Sequence, residues 1–356
     1  MNREFSGVTL NGTFFTSEDL LLYAEKMIKS GRLPKWEDKI YRFILSFLDD
    51  QDFIEQQSSG TTGTPKKFQL SKQAMIESAR NTINALGLKS KEAALLCLPI
   101  DYIAGKMMVV RALVGDFCLY WEEPSSTPLL DKYDSIGFCA MVPLQVYNSI
   151  ENPASFKKIE NLIIGGSELR SDVKEILKDL PNAIYETYGM AETCSHIALR
   201  KISGGSRDKY FKTLPGISVS VDHRSCLIIS ASYMNDPVVT NDVVELVDEN
   251  NFIWKGRFDN LINSGGIKIN QEELEALISE IITKEFAVIG VPDTKFGQRV
   301  VLFVETSEEI NRDELFSILK EKLPAHHVPR EIVTVSKLPR NKSFKIDRTK
   351  LKELKV

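Results

Sequence analysis

The chain has 356 residues and a formal net charge of −4. It is too long for one hydrophobic core, and it lacks the basic surplus that a phosphate backbone demands, which excludes a dedicated nucleic-acid binder. No stretch supplies the roughly 18 uninterrupted apolar residues of a membrane span.

The start, MNREFSGVTLNGTFFTS, has no apolar core behind a basic lead, so no secretory signal is expected. Residues 17–30 and 36–48 carry apolar side chains at helical spacing and read as a helical preface to a sheet. Ser71 then caps a helix whose Met75, Ala79 and Leu86 share a face and which Gly87 ends. Beyond it, strand-like AALLCL, FCLYW, IGFCAMV, NLIIGG and AIYETYG alternate with helical GKMMVVRAL, LQVYNSI and SDVKEILKDL. That alternation predicts an α/β class with a largely parallel sheet covered on both faces, which binds ligands at the carboxyl ends of its strands. After Gly204, CLIISAS, VVELV and FIWKG predict a β-rich subdomain that closes a large domain at 1–258. A small α+β domain is expected over 259–356: a helix at 271–282, strands FAVIGV and RVVLFVE, a helix at 313–322, strand EIVTV and a basic tail. The cysteines, at 97, 118, 139, 194 and 226, form no Cys-x-x-Cys pair and several lie in apolar runs, as free buried thiols of a reducing cytoplasm do.

Chemistry concentrates in five stretches. The first, QSSGTTGTPKKFQLS at 57–71, packs small hydroxylated residues and two glycines into a loop able to turn successive amides toward an anion. It is no Walker loop, because Pro65 rather than glycine precedes the lysines. The second, Tyr188-Gly189-Met190-Ala191-Glu192-Thr193, sets an aromatic ring, a glycine and an acid at a strand exit, suited to an adenine face and a magnesium ion. The third, Thr240-Asn241-Asp242, offers an acid to the hydroxyls of a ribose, or else an ordinary turn aspartate. The fourth, GRFDNLINSGGIKINQEELE, places Arg257, Asp259, Gly265 and Gly266 on the expected linker, and the fifth, LPRNKSFKIDRTKL, places Lys345 in a tail that by itself reads as solvated surface.

In this order and spacing the stretches resemble the adenylate-forming superfamily of acyl-CoA synthetases, adenylation domains and luciferases, from about Ser58 to Leu351. The resemblance implies an acid activated by ATP as an acyl adenylate and passed to coenzyme A, with Mg2+ as the metal. It also implies the roles. Ser59, Gly60, Thr61, Thr62, Gly63, Thr64 and Lys66 cradle the phosphates, Glu192 positions magnesium, and Gly166, Tyr188 and Gly189 flank the adenine. Asp242 holds the ribose, Arg257 supports ribose and phosphate, Asp259 is the hinge, Gly265 and Gly266 line the CoA passage, and Lys345, with Glu192 and Thr62, acts in catalysis. LPIDYIAGKMM, LIIGGSELR and YGMAETCSH resemble the motifs of a branch of that family that acts on an aromatic acid with a second, unreactive carboxylate, which implies a pocket with Tyr102, Lys106, Arg111, Thr193, Ser195 and His196 as its candidates. The basic members of that set could equally be a solvated helix face.

Four departures stand out. Phe344 occupies the place of a glycine before the lysine, Asn241 replaces the glycine of Thr-Gly-Asp, Ala191 replaces a common threonine, and the region before the phosphate loop is short for the family, as expected of a compact variant. The four histidines, at 196, 223, 326 and 327, lack zinc spacing, no Gly-x-Ser-x-Gly elbow is present, and the paired glycines make no dinucleotide fingerprint. A carrier-protein adenylation enzyme and a non-catalytic nucleotide-binding module are the competing readings. The first lacks a recognisable acid for a substrate amine, and the second has no reason to keep Glu192 and Lys345.

Overall fold

The computed structural model describes residues 5, 7–57, 67–204, 208–234, 236–341 and 344–354. It opens with strands β1 (Val8–Leu10) and β2 (Thr13–Phe15), helices α1 (Ser17–Ser30) and α2 (Lys35–Leu48), and the hairpin of β3 (Phe53–Gln57) and β4 (Lys67–Ser71). There follow α3 (Lys72–Leu86), β5 (Ala93–Leu96), α4 (Ile103–Gly115), β6 (Cys118–Trp121), β7 (Ile136–Met141), α5 (Pro143–Ser149), α6 (Pro153–Phe156), β8 (Ile159–Ile164), α7 (Ser171–Lys178), β9 (Ala183–Gly189), β10 (His196–Lys201) and β11 (Phe211–Thr213). The remainder is β12 (Ile217–Val221), β13 (Cys226–Ala231), β14 (Val238–Leu246), β15 (Asn251–Arg257), β16 (Leu261–Ser264), β17 (Ile267–Asn270), α8 (Gln271–Ser279), β18 (Phe286–Asp293), β19 (Gly297–Glu305), α9 (Arg312–Lys322), β20 (Glu331–Val335) and α10 (Arg348–Glu353).

These elements form two compact units. One comprises Met1–Leu169, Leu177–Ser218 and Ser230–Val238, and the other Arg170–Ile176, Val219–Ile229 and Val239–Val356. The second thus takes in β14 and β15, ahead of Asp259.

In the first unit the strands lie in the order β11-β10-β9-β8-β7-β5-β6-β1-β2. Pairing is parallel from β9 through β8, β7, β5 and β6 to β1, and antiparallel at both ends. Every residue of β7 is buried, as a parallel strand covered on both faces requires. Because β6 lies on one side of β5 and β7 on the other, the chain reverses its winding there, and such a switch point leaves a crevice at the strands' carboxyl ends. The loop after β5 leads through Pro99 and Asp101 into α4. Gly105 packs against that loop so closely that a Cβ would meet Pro99 O at 2.4 Å. The short pair β1 and β2 escaped the sequence reading. Their three-residue lengths give no alternation to detect, yet β1 extends the parallel sheet beside β6.

In the second unit, β18 and β19 form a long antiparallel pair whose side chains alternate by face. Val288, Val300, Leu302 and Val304 pack with Leu274 and Ile278 of α8 and Leu319 of α9. Ala287, Ile289, Val301 and Phe303 pack with Leu338 and with Leu351 of α10. The basic tail is therefore no plain solvated surface, since α10 anchors it through one buried leucine. Helix α8 stops at Ser279, short of the expected 282, because its last turn tightens: Glu280 N donates to Leu277 O at 3.3 Å and Ile281 N to Ile278 O at 2.9 Å.

All five cysteines are free, four of them buried and Cys118 half-buried. Helix caps follow the sequence closely. Ser71 Oγ accepts from Ala74 N at 3.3 Å, and Gly87 closes α3 with φ of 64°.

One glycine in the sheet fixes the site's geometry. Gly189 pairs with His196 across β9 and β10, and a Cβ there would lie 2.4 Å from both His196 Cα and Ser195 O. Those are backbone atoms, which cannot step aside. Gly189→Ala is expected to cost roughly 1–3 kcal/mol in urea-induced unfolding. A loss under about 0.5 kcal/mol, within the range of ordinary surface changes, would show that the strands separate freely there.

Candidate active site

The parallel strands of the first unit deliver their candidates at their carboxyl ends. After β8 come Gly165 and Gly166. A Cβ on Gly165 would strike Thr187 Oγ1 at 2.3 Å, and Gly166 has φ of +101°. The last residues of β9 are Tyr188, packed with Phe211 at 5.9 Å between ring centroids, and Gly189. The 3-10 turn Ala191–Thr193 leaves Glu192 exposed and turns Thr193 inward, where its hydroxyl accepts from Met190 N at 3.1 Å and donates to Ser195 O at 2.7 Å. The phosphate-loop candidates Ser59, Gly60, Thr61, Thr62, Gly63, Thr64 and Lys66 lie outside the described residues. The strands that flank them are described, with Gln57 paired to Lys67 at the end where that segment joins.

The pocket candidates separate. Arg111, in the body of α4, is 2% exposed, and its Nη2 donates to Ser195 Oγ at 2.6 Å. Ser195 Oγ faces His196 Nδ1 at 3.4 Å, His196 Nε2 faces Thr82 Oγ1 at 3.2 Å, and Thr82 Oγ1 donates to Ser78 O at 3.0 Å. One proton arrangement satisfies the whole chain. Thr82 has given its hydrogen to Ser78, so it must accept from Nε2–H, which leaves Nδ1 to accept the Ser195 proton while Ser195 accepts from Arg111. Burial first, and then the Arg111 charge, hold His196 well below its ordinary value, so the ring is the neutral relay this requires.

Arg111 has no carboxylate partner among the described residues, and burial pushes its guanidinium down to about 9. Its Nε is buried without a hydrogen-bond partner among those residues. At neutral pH the cation remains, with one donor unspent. Lys106 goes elsewhere: Nζ donates to Gln56 Oε1 at 2.7 Å and to Glu55 O at 3.3 Å, binding α4 to β3. Burial lowers its pKa, opposed by Asp101. Tyr102 is the half-buried residue ahead of α4, its N–H on Pro99 O at 3.2 Å. Sequence reasoning missed Ser78 and Thr82; two polar residues four apart on the apolar face of α3 were the signal.

In the second unit Asp242 and Arg257 face one another across β14 and β15. The register slips next to them, between Val243 and Val244, and such a bulge re-aims neighbouring side chains. Trp254 Nε1 donates to Asp242 Oδ1 at 3.2 Å, while Arg257 grips both oxygens of Asp259 at 2.8 Å. Burial tends to raise the Asp259 pKa, but the Arg257 hydrogen bond and charge, with Asn241, hold it below the ordinary value. Gly265 and Gly266, with φ of 62° and 83°, make the two-residue turn between β16 and β17.

Lys345 is half-buried, and burial first, then the Arg257 charge, push its ammonium down to about 8. The residue before it, Phe344, has φ of 64°. That explains why a glycine suits this position, since a side chain in the left-handed region costs about 1–2 kcal/mol.

The family model described as AMP-binding enzyme matches residues 55–231, and the one described as AMP-binding enzyme C-terminal domain matches 274–345. The 2-succinylbenzoate–CoA ligase of Listeria monocytogenes is 31% identical over 322 residues, which are 83% of this chain and 68% of that one. Its counterpart in Staphylococcus epidermidis is 26% identical, over 90% of this chain and 73% of its own. Among solved structures, an acyl-CoA synthetase (AMP-forming)/AMP-acid ligase II-like protein of Dyadobacter fermentans is 32% identical with a TM-score of 0.60, covering 93% of this chain and 98% of its own. The o-succinylbenzoate CoA synthetase of Bacillus subtilis, in complex with its acyl-adenylate intermediate, shares the fold with a TM-score of 0.79 at 17% identity, covering 98% of this chain and 96% of its own. The chain belongs to the AMP-binding enzyme family of adenylate-forming ligases.

Proposed function

We propose that this enzyme converts 2-succinylbenzoate to 2-succinylbenzoyl-CoA, a step of menaquinone biosynthesis, in two half-reactions. A carboxylate oxygen of the acid attacks the α-phosphorus of ATP, the bond to the β-phosphate oxygen breaks, and pyrophosphate leaves as the acyl adenylate forms. The sulfur of CoA then attacks the adenylate carbonyl, its proton passing to solvent, and AMP leaves. The single observation that carries the substrate assignment is Arg111, a buried guanidinium whose only described polar partner is a serine hydroxyl and whose Nε is unspent. A site built so accepts an anion that the fold does not supply. The carboxylate of 2-succinylbenzoate that does not react is such an anion.

The remaining roles follow from the chemistry of the first step, in which two anions must meet. Positive charge and donors already in place offset their repulsion. Lys345 is assigned to the reacting carboxylate and α-phosphate, Asp242 and Arg257 to the ribose, Tyr188, Gly189 and Gly166 to the adenine, and residues 59–66 to the departing phosphates. Mg2+ commonly takes one or two carboxylates and completes its shell with water and phosphate oxygens. Glu192, an exposed carboxylate at a strand exit, fits that demand, and the described residues hold no cluster of three or more acidic, histidine or cysteine ligands. When bound, the ion neutralises charge on the phosphates. Asp259 is the assigned hinge, with Gly265 and Gly266 beside the pantetheine path.

ATP–pyrophosphate exchange across a panel of acids tests the reading. Exchange with 2-succinylbenzoate and loss of it on replacing Thr61 and Thr62 by valine, with thioester formation from preformed adenylate retained, is expected. Exchange with amino acids alone would favour the carrier-protein reading, and exchange with none the binding module.

Arg111→Met should raise KM for 2-succinylbenzoate at least tenfold, about 1.4 kcal/mol of lost binding. Its unfolding free energy should stay within about 1 kcal/mol of the native chain, because an unpaired buried charge contributes little to stability. Lys106→Met should leave KM within about twofold, since its ammonium is spent on β3. The reverse ranking would move the second carboxylate to Lys106.

The half-reactions should also diverge with pH. Lys345 must carry its proton, so kcat/KM for adenylation should fall as pH rises through about 8. Thioester formation should rise over the same interval as the thiol ionises. A falling limb that persists unchanged in Lys345→Arg, whose guanidinium does not titrate there, would assign it to another group.

A further inference from the structure

The left-handed conformation of Phe344 is held by an arrangement that sequence reasoning did not single out. Arg340 Nη1 donates to Phe344 O at 3.0 Å, and its Nη2 donates to Glu285 Oε2 at 2.6 Å. The other oxygen of that carboxylate, Oε1, accepts from Arg170 Nη1 at 3.0 Å. The three side chains are 14%, 18% and 17% exposed, so these are charge-assisted bonds largely out of water. Arg170 is itself fixed, with bonds to Asp172 and to Thr283 O. On the loop side, Asn341 O accepts from Phe344 N at 3.0 Å, Asn341 Oδ1 from Lys345 N at 3.2 Å, and Lys345 O from Asn341 N at 2.9 Å. Both sides of the Phe344–Lys345 peptide are thereby tied.

A non-glycine residue keeps positive φ only where its surroundings over-determine it. Released, Phe344 would return to negative φ, a rotation of more than 100° at the residue next to Lys345, and would carry the ammonium several ångströms. A misplacement of about 1 Å can cost a hundredfold in rate. We propose that Arg340 and Glu285 are positioning residues for Lys345, acting through the Phe344 carbonyl, and that this clamp is what lets the chain dispense with a glycine there. The inference rests on the reading of Lys345 as the adenylation lysine. Arg170 serves the clamp as the counter-cation that keeps Glu285 oriented.

Two variants, Glu285→Gln and Arg340→Met, test it, with both half-reactions measured. The expected result is a fall of about tenfold to a hundredfold in kcat for ATP–pyrophosphate exchange, KM values for ATP and acid within about twofold, and unchanged thioester formation from preformed adenylate. Adding Phe344→Gly to either variant should restore most of the exchange rate, because glycine adopts the left-handed region unaided. Equal loss in both half-reactions, or no recovery with Phe344→Gly, would overturn the proposal. Amide hydrogen exchange supplies a readout independent of catalysis. In Glu285→Gln the amides of Phe344 and Lys345 should exchange at least about tenfold faster while those of β18 and β19 keep their protection, and unchanged rates would overturn the clamp. A native enzyme that exchanges pyrophosphate with no acid would refute the ligase reading, and the amide rates would still decide the clamp.

Discussion

Desolvated positive charge with no counter-charge among the described residues is the constraint on which the proposed site depends. Other cations withdrawn wholly or partly from water are paired. Lys72, its side chain 2% exposed, is paired with Asp49 at 2.6 Å, and Arg348 is paired with Glu275 at 2.6 Å. Arg111 and Lys345 are treated otherwise. The first is buried on a serine hydroxyl, and the second sits beside another cation, Arg257, with its pKa pushed down to about 8. Removing a charge from water without a partner opposes folding. The cost is tolerable in a chain of this size because the β18–β19 pair and the wholly buried β7 give each unit a large apolar core. On the function proposed above, the missing partners are anionic substrates.

The backbone answers the same demand where side chains would be in the way. Gly189 lets β9 and β10 close until His196 lies against the strand, which in turn seats Ser195 within reach of Arg111. Gly165 and Gly166 strip the end of β8 of bulk, and Gly166 adopts a φ that other residues resist. At Phe344 the same backbone geometry is reached with a large side chain. Folding does there with a network of half-buried ions what glycine does elsewhere by having no Cβ. The arrangement is rigid, whereas a glycine would leave the position free to sample both signs of φ.

The sequence made most of the architecture legible, and the gaps have physical reasons. Residues 17–30, the cap at Ser71 and the stop at Gly87 were readable because propensity, capping and burial agree there. Three-residue β1 and β2 carry too short a pattern to read. The fate of Arg111 and Lys106 was hidden for a different reason. Five residues on a helix are about 140° apart in rotation, so they cannot share a face, but α4 is buried on nearly every side and its sequence shows no polar stripe to reveal which direction each takes. Candidates for nucleotide binding could be named from the sequence, because each is a local choice of residue type. The relay through Thr82 and the clamp through Glu285 join positions 114 and 55 residues from their partners, and separations of that length leave no local trace.

The substitution of Asn241 for glycine follows the same logic one step further. Arg224 Nη1 donates to Asn241 Oδ1 at 3.0 Å, its guanidinium lies 5.4 Å from the centre of the Phe258 ring, and it is paired with Asp222 at 2.7 Å. Asn241 also hydrogen-bonds Asp259, which holds both arms of Arg257. A glycine at that position of β14 could make none of the side-chain bonds. The residue that carries Asp242 is thereby coupled to the residues around Asp259, and any large dihedral change at Asp259 has to release Asn241 and Arg257 together. Both bonds to the Asp259 carboxylate are partly exposed, so water can replace them at small cost. An arrangement of this kind holds its position without a deep barrier to leaving it, as the hinge role proposed for Asp259 requires.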